Sequence, residues 1–202
     1  DPNFFRTAEE LDRWLMGVPC FGGGYGHQHP ESSHNWIQGL IDYYSMTGLP
    51  EARDAIEAME GFYRLCKDPR AQNWNFNGRN AAYALNGLRQ MFEWTGDPDW
   101  LKAANTCIRD ARNRTRPVSG FYGGNPGGFM QHVLCHSLGR YASLTGDEDA
   151  IDWLLGLAGH FKPFSGRCEE NGETGDDYAW ATILTGDRRY LNAAVTNITD
   201  AM

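Results

Sequence analysis

The chain has 202 residues, 41% of them hydrophobic and 22% charged, enough for one domain with a sizeable core. Its formal net charge of -8 excludes the basic footprint that a nucleic-acid backbone requires. No run of about 18 apolar residues is present, so neither a membrane span nor a membrane partner is expected.

Five cysteines, at 20, 66, 107, 135 and 168, form no C-x-x-C pair, so neither a disulfide framework nor a four-cysteine zinc site is expected. The chain begins Asp1-Pro2 without a signal-peptide pattern, as a mature or trimmed form would. Two short sequons, at Asn113 and Asn197, leave the compartment open. Aromatics make up 13% of the residues, with seven Trp, a content that suits helix interfaces and sugar clefts alike.

In chain order, residues 4–16 read as a helix with Leu11, Trp14 and Leu15 on one face, ended by Gly17 and Pro19. A glycine-rich loop then carries His27, His29, Glu31 and His34 within eight residues. A helix over 33–46 follows, with Trp36, Ile37, Leu40, Ile41 and Tyr44 as its apolar face. Thr47-Gly48 closes it, and Pro50 opens a helix over 50–66, with Ala55, Ile56, Met59 and Phe62 inward.

This pattern is written three more times. Loops 67–77, 116–127 and 162–175 lead into helices 78–94, 128–144 and 176–184. Thr95-Gly96-Asp97, Thr145-Gly146-Asp147 and Thr185-Gly186-Asp187 turn each into a second helix, over 99–114, 148–161 and 188–202. In each turn Gly can end one helix and Asp can cap the next. The turns start at 47, 95, 145 and 185, a period that signals an array of helical hairpins. Gly39, Gly87 and Gly139 fall in the middle of first helices, where close helix packing is the expected compensation for their cost of about 1 kcal/mol. The expected arrangement is an inner ring of first helices and an outer ring of second helices. The four long loops then open on one end, and a site belongs there.

The repeated hairpins, and the first repeat's His34-Asn35-Trp36-x-x-Gly39-Leu40-x-x-Tyr43-Tyr44-x-x-Thr47-Gly48, resemble the α/α toroid of polysaccharide lyases and six-hairpin glycosidases. The nearest likeness is to rhamnogalacturonan exolyase-like (YetA-like) proteins. The resemblance implies an all-α fold: one domain over 1–202, an incomplete or open α/α toroid of four hairpins plus a leading helix. Such a piece can belong to a larger protein, so further domains of the same protein are expected partners. The resemblance also implies a carbohydrate-active enzyme with an oligo- or polysaccharide partner and an extracellular or periplasmic setting.

Within it, the expected reaction is β-elimination on a uronate-containing, pectin-like polysaccharide. His34 and His132 lie thirteen residues ahead of Thr47 and Thr145, on one shared rung, and either suits the base. Arg79, with Asn75 or Asn80, suits a uronate carboxylate, and Tyr122 suits the acid. Substrate contacts are expected from His29, Glu31, Asn35, Trp74, His136, Glu173 and Asp177. The alternatives are a glycoside hydrolase with a carboxylate pair, Glu31 facing Glu173 or Asp177, and a non-catalytic glycan- or protein-binding module. The His27-x-His29 spacing matches no metal motif, so no metal or other cofactor is expected.

Overall fold

The computed structural model describes residues 37–66, 78–113, 129–159 and 168–200. Eight helices and no strand occur among them. They are α1 (Ile37–Thr47), α2 (Pro50–Cys66), α3 (Gly78–Thr95), α4 (Asp99–Asn113), α5 (Phe129–Thr145), α6 (Glu148–Ala158), α7 (Cys168–Thr185) and α8 (Arg188–Asp200). They form four successive hairpins, and the chain has the all-α, α/α-toroid fold that the repeat implies.

The four turns are built alike, because the same residues make the same bonds. The threonine hydroxyl donates back to a carbonyl one turn earlier, at 2.7 Å to Tyr43, 2.7 Å to Met91, 2.8 Å to Tyr141 and 2.6 Å to Ala181. Its oxygen then accepts the backbone N–H two residues on, at 3.3, 3.2, 3.2 and 3.1 Å. Each glycine lies at positive φ, 66° at Gly48, 71° at Gly96, 68° at Gly146 and 70° at Gly186, which only glycine enters without a Cβ penalty. In three turns the aspartate side chain accepts an N–H of the next helix at 2.9 Å: from Asp99 to Asp97, Ala150 to Asp147 and Arg189 to Asp187. In the first turn, Leu49-Pro50 replaces that cap, with proline at the first helical position.

By Cα packing the chain divides into two compact units, Asp1–Asn73 with Asn86–Ala104, and Trp74–Leu85 with Asn105–Met202. In the first unit α1 packs on α2. The buried stripe of α1 is Ile37, Leu40 and Tyr43, whereas Ile41 and Tyr44, expected on it, are half-buried. Tyr44 instead sets its ring edge-on to Trp94 at 5.4 Å. On α2, Ala52, Ala55, Ile56, Met59 and Tyr63 are buried. A Cβ at Gly87 would overlap the Tyr63 ring, so glycine lets α3 approach that ring closely. Gly39 differs: a Cβ there meets no described atom, and close packing does not explain it.

In the second unit α5 packs on α6 and α7, α6 packs on α7, and α7 packs on α8. Leu134, Leu138, Tyr141, Trp153, Leu154 and Leu157 are buried there. Polar ties hold α4 to the start of α6. Asn105 donates to the capping Asp147, and Arg112 donates to the Asp149 carbonyl at 2.8 Å and to its carboxylate at 3.1 Å.

Helix α7 departs from the sequence expectation. It begins at Cys168 rather than Asp176, so residues 168–175 are helix and not loop. Glycines at 172 and 175 signal a loop, but Glu169 and Glu170 fall in the first turn, where negative charge favours a helix. Gly175 is also buried by tertiary packing. Asp176 and Asp177 therefore lie inside the helix, away from its positive end.

Candidate active site

The second unit brings two histidines and two aspartates together. His132 and His136 are four residues apart on α5 and share one face. Asp176 and Asp177 are adjacent on α7, which packs against α5. Adjacent helical residues point about 100° apart, so one aspartate lies deep and the other near solvent.

The deep pair is His132 and Asp177. Nδ1 of His132 meets Oδ2 of Asp177 in a short contact, with the side chains 5% and 1% exposed. Burial pushes the Asp177 carboxyl up from 3.8 to about 6, and the attraction of His132 only partly opposes it. The other oxygen, Oδ1, is buried without a hydrogen-bond partner among the described residues. Cys135, one residue from His136, is also buried beside this carboxylate. Burial pushes its thiol up, so it stays protonated and unreactive. Cys107 and Cys135 are both free, buried thiols.

The outer pair is His136 and Asp176, joined from Nδ1 to Oδ2 at 2.7 Å, with the side chains 37% and 49% exposed. A carboxylate at that distance places a proton on Nδ1. The indole nitrogen of Trp180 lies 3.3 Å from the same Nδ1, and the two rings meet edge to face at 5.8 Å. Because Nδ1 carries the proton shared with Asp176, the indole contact is an edge contact and not a second hydrogen bond to that atom. Among the described residues no group of three or more His, Cys, Asp and Glu side chains suits a metal ion.

Of the residues singled out from sequence, His132, His136 and Asp177 converge here. His29, Glu31, His34, Asn35, Trp74, Asn75 and Tyr122 lie outside the described residues, as does His27. Arg79 and Asn80 fall in the first turn of α3, and Glu173 on α7, but their side chains lie outside the described set. The shared rung of His34 and His132 and the pairing of Glu31 with Asp177 therefore concern residues beyond it. Sequence reasoning missed Trp180 as a site member and took Asp177, but not its neighbour Asp176, into a carboxylate pair. The missed signal was an Asp-Asp pair, with Trp180 one turn after Asp176, opposite two histidines at i, i+4.

No protein-family model matches this chain, and no curated protein matches it. Among solved structures, it is similar to the GH76A α-1,6-mannanase from Salegentibacter sp. HEL1_6. That match has a TM-score of 0.63 at 14% identity and covers 96% of this chain and 69% of that one. It is also similar, with a TM-score of 0.61, 14% identity and the same coverage, to an inactive variant of that mannanase in complex with α-1,6-mannotriose. The variant carries asparagine in place of two consecutive aspartates. These likenesses agree with the α/α-toroid fold of the chain. They give no support to the expected closeness to exolyase-like proteins.

Proposed function

We propose that this protein is a glycoside hydrolase of the α/α-toroid type that cleaves an oligosaccharide with Asp176 and Asp177 as its carboxylates. One observation carries the reading. The described site holds two adjacent aspartates, and the fold is that of a mannanase whose inactive variant has two consecutive aspartates replaced.

Hydrolysis of a glycosidic bond needs one carboxylic acid to protonate the leaving oxygen and one carboxylate to act at the anomeric carbon, directly or through water. The environments separate the two aspartates in the required sense. Asp177, desolvated to about 6, keeps a proton in mildly acidic solution and suits the acid. Asp176, half-exposed beside His136, suits the carboxylate. In this reading His132 positions Asp177, and His136 positions Asp176. Asp177 is covered, so a sugar meets its oxygen only when covering side chains give way.

α-Mannosides are the first substrates to test, from the activity of the similar mannanase. Incubation with α-1,6-mannotriose and longer α-mannan is expected to yield new reducing ends without absorbance from unsaturated sugars. Asp176→Asn and Asp177→Asn are each expected to lower kcat by about 100-fold or more.

The buried His132–Asp177 contact favours a second reading, β-elimination with His132 as the base, because a carboxylate on Nδ1 orients an imidazole for proton transfer. Unsaturated ends formed from a pectic polymer, with activity lost in His132→Ala and kept in Asp176→Asn, would establish that reading instead. Binding without turnover would leave a glycan-binding module.

A further inference from the structure

Gly139 sits in the middle of α5, where glycine costs about 1 kcal/mol against alanine. A Cβ built on it would fall 2.5 Å from Cδ2 and 2.6 Å from Cγ of Trp180, too close for a side chain beside the indole. The indole therefore packs closely against α5 at Gly139, where a side chain would collide with it. One edge of the ring meets His136. Trp180 is nevertheless only half-buried, so part of it remains open to solvent. The outer carboxylate–imidazole pair stands beside it, with Nδ1 of His136 3.3 Å from the indole nitrogen.

A flat apolar surface bordered by polar groups matches a pyranose ring. The axial C–H groups of one sugar face lie on the indole, while the hydroxyls at the ring's rim find acceptors and donors. The charge nearby selects among sugars. Asp176 brings a carboxylate to the site, and the chain carries a net charge of -8, so an anionic ring is disfavoured. The one cation placed close in sequence is the exposed Arg140, next to Gly139 on α5, and it has no ion-pair partner among the described residues.

We infer that Trp180, packed against Gly139, is a stacking platform for one neutral pyranose ring of the substrate, and that the Gly139–Trp180 contact sets its orientation. The inference rests on the glycosidase reading for its substrate, but binding tests it independently of turnover.

The experiment is calorimetric titration of the whole chain with thio-linked α-1,6-mannotriose, which resists hydrolysis, and with a galacturonate trimer. Both are repeated on Trp180→Phe, Trp180→Ala and Gly139→Ala, with thermal melting as the check on folding. Wild type is expected to bind the neutral trimer and not the acidic one. Trp180→Ala and Gly139→Ala are expected to weaken binding about tenfold or more, and Trp180→Phe, which keeps a flat ring, by only a few-fold. Saturation-transfer NMR is expected to mark C–H protons on one face of one sugar residue. If Trp180→Ala unfolds, Gly139→Ala and Trp180→Phe still decide. Folded variants that bind as wild type, preference for the acidic trimer, or binding of neither trimer would overturn the platform. Tight, Trp180-dependent binding with no hydrolysis of oxygen-linked mannotriose would instead sink the glycosidase reading and leave the platform standing.

Discussion

At the scale of the residue, Asp177 is the group whose surroundings decide most. Its carboxyl is buried, so its charged form has lost water, and His132, with Cys135 beside it, returns only part of that loss. The folded state therefore prefers the protonated acid. With the folded value near 6 and the ordinary value at 3.8, the stability this group supplies is full below about pH 4. It is lost as pH rises through about 6. Unfolding free energy is expected to fall across that interval, and Asp177→Asn, which cannot ionise, is expected to flatten the fall. Denaturant titrations of both proteins between pH 4 and pH 7 measure it, and an unchanged slope in the variant would refute the assignment. The same shift suits a general acid, so stability and the proposed chemistry draw on one cause, desolvation.

At the scale of the element, glycines with the same sequence setting have different physical roles. Gly87 and Gly139 each accept an aromatic ring against the helix backbone, from Tyr63 and Trp180. Tyr63 is fully buried, so it has no room to yield to a new methyl group. Gly87→Ala is therefore expected to destabilise by about 1–3 kcal/mol, the usual range for overpacking. Gly39→Ala meets no described atom and is expected to be neutral or to stabilise by up to about 1 kcal/mol, since alanine favours the helix. Chemical denaturation of the two variants checks the contrast, and equal effects would show that the aromatic contact is not what requires glycine. The Thr-Gly turns belong to this scale too. The threonine bonds, the positive φ and the aspartate cap are local, and so they repeat wherever the residues repeat.

At the scale of the whole molecule, net charge bears on how a ligand is drawn in. A net charge of -8 lends no long-range attraction to a polyuronate, which only local cations could hold, and is indifferent to a neutral glycan. KM for a neutral oligosaccharide is therefore expected to change less than about twofold between low and high salt, because no long-range attraction is being screened. A KM that rises steeply with salt would show that the ligand is anionic and that local cations hold it. The likeness to the α-1,6-mannanase extends over 96% of this chain at only 14% identity, so what the two share is the arrangement of helical hairpins.

The sequence by itself determined the hairpin array. Amphipathic stripes, glycines that end helices and aspartates that begin them act within a few residues, and four copies reinforce one another. His132 and Asp177 were legible as residues of interest because one shares a rung with His34 and the other could pair with Glu31, and His136 was expected as a substrate contact. Their partnership was not legible, since α5 and α7 meet only through packing between residues some 40 positions apart. The start of α7 was misread for the same reason, because burial of Gly175 is a tertiary effect that overrides a local loop signal. Only the tertiary structure decided which aspartate is buried, which histidine each one meets, and that Trp180 packs against Gly139. Depth, desolvation and close approach depend on what a second helix brings, and that is not written in either helix alone.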